Sequence, residues 1–341
     1  MNDPSKYWFD RNDLVALAPM EAITDRAWRP VVRRIAPDVV LFTEFANARG
    51  LLHGAKSVWQ MVEFKEMERP LVVQLYDSDP VALGEATREV VKRHRPDGID
   101  LNMGCPVRKV AGRGAGCGMM AFPDVAAEAV KRMVDNADGV PVTVKTRLGI
   151  RSKTEVVDVA NAIIEAGARQ ITIHARLKAD RPRVPADWAA LEAAAKKLSV
   201  PVIGNGDIWT EQDALRMVQL EKVVGVMVAR GAIGNPWMLQ RCVQALRGDT
   251  VDAPPTREER ARVAIDHLKA NVETKGERRG VLEMRKVVRH YIKGYLDSKR
   301  TWMRMINEFT ISGSMAILEE FGRGDDSLRH QEPSSFHDED V

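Results

Sequence analysis

The chain has 341 residues, 45% of them hydrophobic and 29% charged, with a net charge of +3. This is the balance of a soluble globular protein with one large α/β domain and a smaller companion. Three cysteines, Cys105, Cys117 and Cys242, are too few and too scattered for a disulfide framework or a zinc site and point to a reducing cytoplasm. No apolar run reaches membrane-spanning length and the polar N-terminal stretch 1–13 lacks a signal-peptide core, so a cytoplasmic protein with no membrane partner and no metal is expected.

Apolar, β-branched runs then recur with helical segments between them. The first covers residues 14–18 and precedes a helix over 25–35. The second, 39–42, ends in Thr43-Glu44-Phe45. The third, 71–75, leads through Asp79 as N-cap into a helix over 80–93. The fourth is 98–101. Gly104 and Pro106 force the chain out of it, which puts Asn102 and Cys105 on a loop at its carboxyl end. The glycine-rich loop 110–118 delays the next helix to Pro123-Asp124. Strand 141–145 precedes a helix over 153–166, strand 170–173 a helix over 187–198, and strand 201–203 a helix over 210–219. The last run, 223–228, precedes a helix opening at Asn235-Pro236.

Eight strand–helix repeats predict an α/β fold, a closed (β/α)8 TIM barrel over residues 1–248. A doubly wound open sheet usually has fewer strands and needs a glycine fingerprint after the first, where this chain reads Ala18-Pro19-Met20-Glu21. Residues 249–256 contain Asp252-Ala253-Pro254-Pro255, a stiff linker. Thr256 is the N-cap of the helix after it, and helical patterning continues to about residue 320 with breaks near Gly276, Gly280 and Asp297-Ser298. Residues 257–322 therefore read as an all-α helical domain, and 323–341 as a disordered acidic tail. Charge is uneven: 257–308 carries 14 Lys and Arg against 8 Asp and Glu, a net +6, whereas 323–341 is at −4. Such a basic module is either a solvated helix face or a footprint for a phosphate backbone.

In a barrel the carboxyl ends of the strands converge on one face. Collected there are Pro19 and Met20, Gln74, Asn102 with Cys105, Lys145 with Arg147, and His174 with Arg176. The last two loops add Gly204-Asn205-Gly206-Asp207 and Ala229-Arg230-Gly231. Each has a structural reading, since a free Cys is among the most buried residue types and a lone His or Gln is more often a satisfied hydrogen-bonding partner. Their convergence is what points to a site. Gly204, Gly206 and Gly231 let backbone approach an anion closely and Arg230 adds charge, so a phosphate-bearing cofactor is implied. Gln74 and Lys145 lie deeper, where its ring system would rest, and Lys145 would stabilise the negative charge of a reduced flavin.

Leu17-Ala18-Pro19-Met20-Glu21 with Thr24-Asp25-Arg26, then Asn102-Met103-Gly104-Cys105-Pro106 with Val110, resemble the tRNA-dihydrouridine synthases. So do Lys145-Thr146-Arg147, Ile173-His174, Asn205-Gly206-Asp207 and Arg230-Gly231. The resemblance spans the barrel, and the basic helices suit that family's tRNA-binding domain. Arg147-Leu148-Gly149, Asp187-Trp188 and Asp207-Ile208-Trp209 resemble the DusC-type branch, which acts on uridine 16 of the D-loop. The resemblance implies FMN held by Pro19, Met20, Gln74, Lys145 and His174, with its phosphate on Asn205, Gly206, Asp207, Ala229 and Arg230. Ala229 stands where the family usually has Gly; a backbone N–H contact survives that change unless φ there is positive. The basic loop 177–185 is unusual for the family, and Cys117 has no assigned role.

The activity implied is reduction of the C5–C6 double bond of a tRNA uridine by a monomeric enzyme. NADPH reduces FMN, the flavin gives hydride to C6, and Cys105 protonates C5. A thiol with an ordinary pKa of about 8.5 suits the acid role, being mostly protonated at neutral pH. Asn102 would orient the uracil edge, and Arg147 and Arg176 would hold its carbonyls. Arg278, Arg279, Arg285, Lys286, Arg289 and Lys293 would grip tRNA phosphates. Two other readings fit the residues: an FMN oxidoreductase acting on a free pyrimidine, and a non-catalytic RNA-binding barrel.

Overall fold

In the computed structural model, which describes residues 7–11 and 13–328, the apolar runs become eight parallel strands. They are β1 (Leu14–Leu17), β2 (Leu41–Asn47), β3 (Leu71–Tyr76), β4 (Gly98–Met103), β5 (Val142–Gly149), β6 (Ile171–Leu177), β7 (Val202–Asn205) and β8 (Val223–Val228). Sequence neighbours pair from β2 through β8, and β8 pairs with β1. The seam between β1 and β2 is the single bridge Ala16–Val40. There the Val40 N–H donates to Val15 O and the Leu17 N–H to Val40 O, both at 2.9 Å. Burial on both faces explains why these strands read as continuous apolar runs rather than alternating ones.

Inside the barrel, Leu14, Ala16, Val40, Phe42, Val72, Ile203 and Met227 form one apolar cluster with Trp8 and Phe9. The N-terminal stretch, expected to be polar, therefore contributes two aromatic rings to the core. Trp8 packs edge-on to Phe42 with centroids 5.8 Å apart. Its indole lies where a Cβ at Gly98, the first residue of β4, would come within 2.8 Å. The aromatic plug thus closes the amino-terminal end of the barrel and leaves the opposite end open.

Several strands run past their expected ends. β2, β5 and β6 continue through Glu44, Arg147 and Arg176, because polar residues at the open mouth keep extended backbone once partners satisfy their side chains. Asn102 consequently lies within β4 and only Cys105 is on the loop. The loop 110–118 is itself partly helical, with turns at Arg108–Ala111 and Gly116–Ala121.

The helices Arg257–Lys275, Glu277–Tyr291, Ser298–Asn307 and Ile311–Gly322 form the C-terminal module. Thr256 caps the first, its hydroxyl accepting from the Glu259 N–H while the Glu259 carboxylate accepts from the Thr256 N–H. Gly280 is not a break. It lies inside the second helix, where a Cβ would stand 2.7 Å from the backbone of Val272, so glycine permits the two helices to cross closely.

The module is docked on the barrel rather than tethered to it. Tyr291 is fully buried, its hydroxyl accepting from Trp28 Nε1 at 3.2 Å and bonding His267 Nδ1 at 3.2 Å. Lys275 joins Asp25 of the barrel to Glu283 of the module. One apolar cluster runs through both parts. Residues 323–328, placed at the head of the expected tail, are tied down: Asp326 accepts from the Tyr295 hydroxyl at 3.0 Å and from the Arg257 N–H at 3.2 Å. The remainder, 329–341, lies outside the described residues.

Candidate active site

At the open end of the barrel, the loops after β4 to β8 surround a cavity of about 270 Å³. Met20, Arg147, His174, Arg176, Asn205, Gly206, Asp207, Ala229 and Arg230 line it. Cys105 stands beside Pro106, which is also in the wall. Lys145 is one hydrogen bond behind it, its Nζ donating to Asn205 Oδ1 at 3.1 Å. Gln74 is fully buried below, and Pro19 precedes Met20 on the chain leaving β1. Among the described residues no cluster of His, Cys, Asp and Glu could hold a metal, and no helix is long and apolar enough to cross a membrane.

The cavity has a cationic excess. Lys145, Arg147, Arg176 and Arg230 all act on His174, whose pKa falls well below its ordinary value, first through burial and then through these charges. An Arg guanidinium can only donate, so its contact with His174 Nε2 at 3.1 Å makes that nitrogen the acceptor. The imidazole is then neutral, with its proton on Nδ1. Lys145 is brought down to about 8, chiefly by burial and then by Arg147. Two carboxylates, Asp180 and Asp207, are also in the wall, and Asp207 faces Arg176 and Arg230 at 2.7 and 3.1 Å.

These charges are arranged for an anion at the β7–β8 side. Gly206 has φ +119° and a Cβ there would come within 3.0 Å of Ala186, so glycine is required. The N–H groups of Gly206, Asp207 and Ala229 donate to no acceptor among the described residues. Ala229 has φ −109°, so its Cβ is tolerated and its N–H keeps its direction. Unpartnered N–H donors beside Arg230, with a cationic floor, fit a phosphate and the flat ring system it carries.

Other expected contacts are already committed within the protein. Arg176, 3% exposed, donates to both Asp207 oxygens at 2.7 Å, to Val184 O at 2.6 Å and to Pro182 O at 3.2 Å. It folds the loop after β6 over the cavity, which is what that unusual segment does. Arg147 donates to Gly104 O at 2.8 Å and to Leu177 O at 3.0 Å, linking the Cys105 loop to β6. Asn102 Nδ2 donates to Gln74 Oε1 at 2.8 Å, and its Oδ1 accepts the Gly104 and Cys105 N–H groups at 3.1 and 3.0 Å. Asn102 therefore shapes the loop from inside. Burial pushes the Cys105 thiol above its ordinary pKa, so it carries its proton at neutral pH. Cys117 is buried, pushed to about 11, with its N–H on Cys105 O at 3.0 Å. It backs the loop from the core.

In the helical module, Arg278 and Lys286 are exposed. Arg279 pairs with Glu283 at 2.7 Å, and Arg285 donates to Glu308 O at 2.8 Å while covering the Phe309 ring. Sequence reasoning gave Trp209 no place at the site, although the Arg230 guanidinium sits over its ring at 4.8 Å, and assigned no role to Asp100, which is wholly buried. A carboxylate inside the run Gly98-Ile99-Asp100-Leu101 was the available signal for the latter.

Residues 16–321 match the dihydrouridine synthase family. A probable tRNA-dihydrouridine synthase 1 of Synechocystis is 34% identical over 282 residues, covering 82% of this chain and 78% of its own. A probable tRNA-dihydrouridine synthase of Mycobacterium tuberculosis is 34% identical over 293 residues, covering 82% and 75%. One from Staphylococcus aureus is 32% identical over 318 residues, covering 89% and 92%.

Proposed function

The chain belongs to the dihydrouridine synthase family, and from that premise we propose that it reduces the C5–C6 bond of a D-loop uridine in tRNA, with Cys105 as the proton donor. The observation that carries this reading is the Cys105 loop, whose next residue, Pro106, lines a cavity rich in arginine with unpartnered backbone donors; burial raises the thiol's pKa and keeps its proton on it. FMN held at this site, with NADPH as its reductant, would supply the hydride equivalent that the reduction requires.

The protein's own groups do the rest. Gly206, Asp207, Ala229 and Arg230 would hold the phosphate of such a cofactor, and Met20 and His174 would flank its rings. Lys145 supplies positive charge one hydrogen bond behind them. The uridine leaves its stack to enter the cavity. Cys105 transfers its proton to C5, and Lys145 and Arg147 lower the energy of the thiolate left behind. Arg147 and Arg176 keep the cavity walls in place, and Asn102 keeps the thiol loop in place. The basic residues Arg278, Arg279, Arg285, Lys286, Arg289 and Lys293 of the helical module, of which Arg278, Arg279 and Lys286 are exposed, meet tRNA phosphates. Arg147-Leu148-Gly149 and Asp207-Ile208-Trp209 favour uridine 16 as the target.

The test is Cys105→Ala. The variant should keep the flavin absorbance of the parent and lose dihydrouridine formation; full activity would overturn the acid assignment. Mapping dihydrouridine in tRNA from cells lacking the protein identifies the position, and loss anywhere except uridine 16 refutes that part.

A further inference from the structure

Three neighbouring strands place Gln74, Asp100 and Thr143 side by side: Gln74 is in register with Asp100, and Asp100 with Thr143. All three are fully buried inside the barrel. Gln74 Nε2 donates to Asp100 Oδ2 at 2.7 Å and the Thr143 hydroxyl donates to Oδ1 at 2.6 Å. Two residues further along β4, Asn102 is in register with Lys145 and bonds the other end of the Gln74 amide.

The chain of bonds has a direction. An ionised carboxylate only accepts, so Gln74 must turn its NH2 toward Asp100 and its carbonyl toward Asn102. Asn102 must then give its NH2 to Gln74, which leaves its carbonyl facing the Gly104 and Cys105 N–H groups. Reversing Gln74 would set acceptor against acceptor at Asp100, and reversing Asn102 would set donor against donor at the loop. We propose that Asp100 is a positioning residue which, through Gln74 and Asn102, fixes the orientation of the loop that carries the Cys105 thiol. Burial makes this carboxylate expensive, pushing its pKa up to about 6, but leaves it ionised at neutral pH. Elsewhere inside the barrel, interior positions such as those of Val72 and Ile203 are filled by apolar residues, so a buried carboxylate at Asp100 is not needed for packing alone. That the thiol so placed protonates uracil rests on the function proposed above, whereas the relay itself concerns only this chain.

The experiment compares Asp100→Asn and Asp100→Leu in the full-length FMN-loaded protein. Asparagine can present its carbonyl to Gln74 and its NH2 to Thr143, whose hydroxyl can accept as well as donate, so the relay survives. Leucine keeps the branching of the side chain but replaces both acceptor oxygens with methyl groups, so the polar contacts at 2.7 and 2.6 Å are lost and the site must also give way slightly. Leucine should accelerate iodoacetamide alkylation of Cys105, read by peptide mass spectrometry, by about tenfold or more as the loop loosens. It should slow dihydrouridine formation by about a hundredfold, with FMN affinity within about threefold of the parent. Asparagine should restore both alkylation and turnover to within about fivefold, the scale of one neutral hydrogen bond.

Unchanged alkylation in the leucine variant overturns the relay. So does an asparagine variant as impaired as leucine, since charge rather than acceptor placement would then be at work. An equal fall in FMN affinity overturns it too, because the defect would lie in the whole site. If the leucine variant does not fold, Thr143→Val, which frees one Asp100 oxygen, should give about a fivefold change in alkylation, one hydrogen bond's worth; no change overturns the relay. Should Cys105→Ala prove fully active, the proton-donor reading falls while the alkylation result still decides the relay.

Discussion

Lys145 offers a quantitative handle on the cavity. Its ammonium is buried beside Asn205, with Arg147 adding repulsion and Asp100 partly offsetting it, which brings its pKa to about 8. In the FMN-free protein it is therefore about nine-tenths protonated at pH 7 and about one-tenth at pH 9. An anionic ligand binds best to the charged form, so FMN affinity should weaken about tenfold between pH 7 and pH 9, or about 1.4 kcal/mol. Lys145→Met keeps a long side chain without the charge. It should bind FMN about tenfold more weakly at pH 7, with a pH profile that is flat over this range. Titrating apoprotein into FMN and following fluorescence quenching at pH 7, 8 and 9 measures both. A flat wild-type profile, or the same slope in Lys145→Met, would refute the reasoning. Stability of the FMN-free protein responds with the opposite sign. A lysine whose pKa is lower folded than unfolded opposes folding while charged, so this group favours the folded state more as pH rises from about 8 toward its unfolded value.

Tyr291→Phe leaves the Trp28 indole N–H and His267 Nδ1 without their shared oxygen, at an expected loss of about 1–3 kcal/mol read from the urea midpoint. His267 beside it is brought down to about 4 by burial. The unfolded chain binds this proton below its ordinary pKa of about 6.5 and the folded one does not, so stability is lost as pH falls from there to 4, by up to about 3 kcal/mol. His267→Gln should remove that part of the slope, and an unchanged acid profile would contradict it. Gly280→Ala, ordinarily favourable in a helix, should lower stability by about 1–3 kcal/mol because the new Cβ meets Val272 backbone, which cannot step aside; a higher melting temperature would exclude the close crossing.

The barrel and the membership of its site were legible because both follow from local pattern and one topological rule. Strand–helix repeats force parallel strands, and parallel strands bring their carboxyl ends together, so Cys105, Lys145, His174, Asn205 and Arg230 converge before any coordinate is known. Glycines at 206 and 231 carry their own local message. Other assignments depended on partners distant in sequence. Whether Arg176 faces a ligand or the protein is decided by Asp207 and the carbonyls of Pro182 and Val184. Whether Asn102 touches a substrate or props up the thiol loop is decided by Gln74 and, behind it, Asp100. Gly280 reads as a helix breaker until Val272 is seen against it. Trp8 reads as part of a polar N-terminal stretch until Gly98 makes room for its indole.

The sequence by itself determined the repeat, the ring of strands and the chemical types gathered at its mouth, because backbone periodicity and chain connectivity act over short range. Tertiary structure alone decided which of those polar atoms stay available to a ligand and which are consumed in holding the site's shape. That division depends on hydrogen-bond geometry between strands, where a shift of one residue turns a binding group into a buried support.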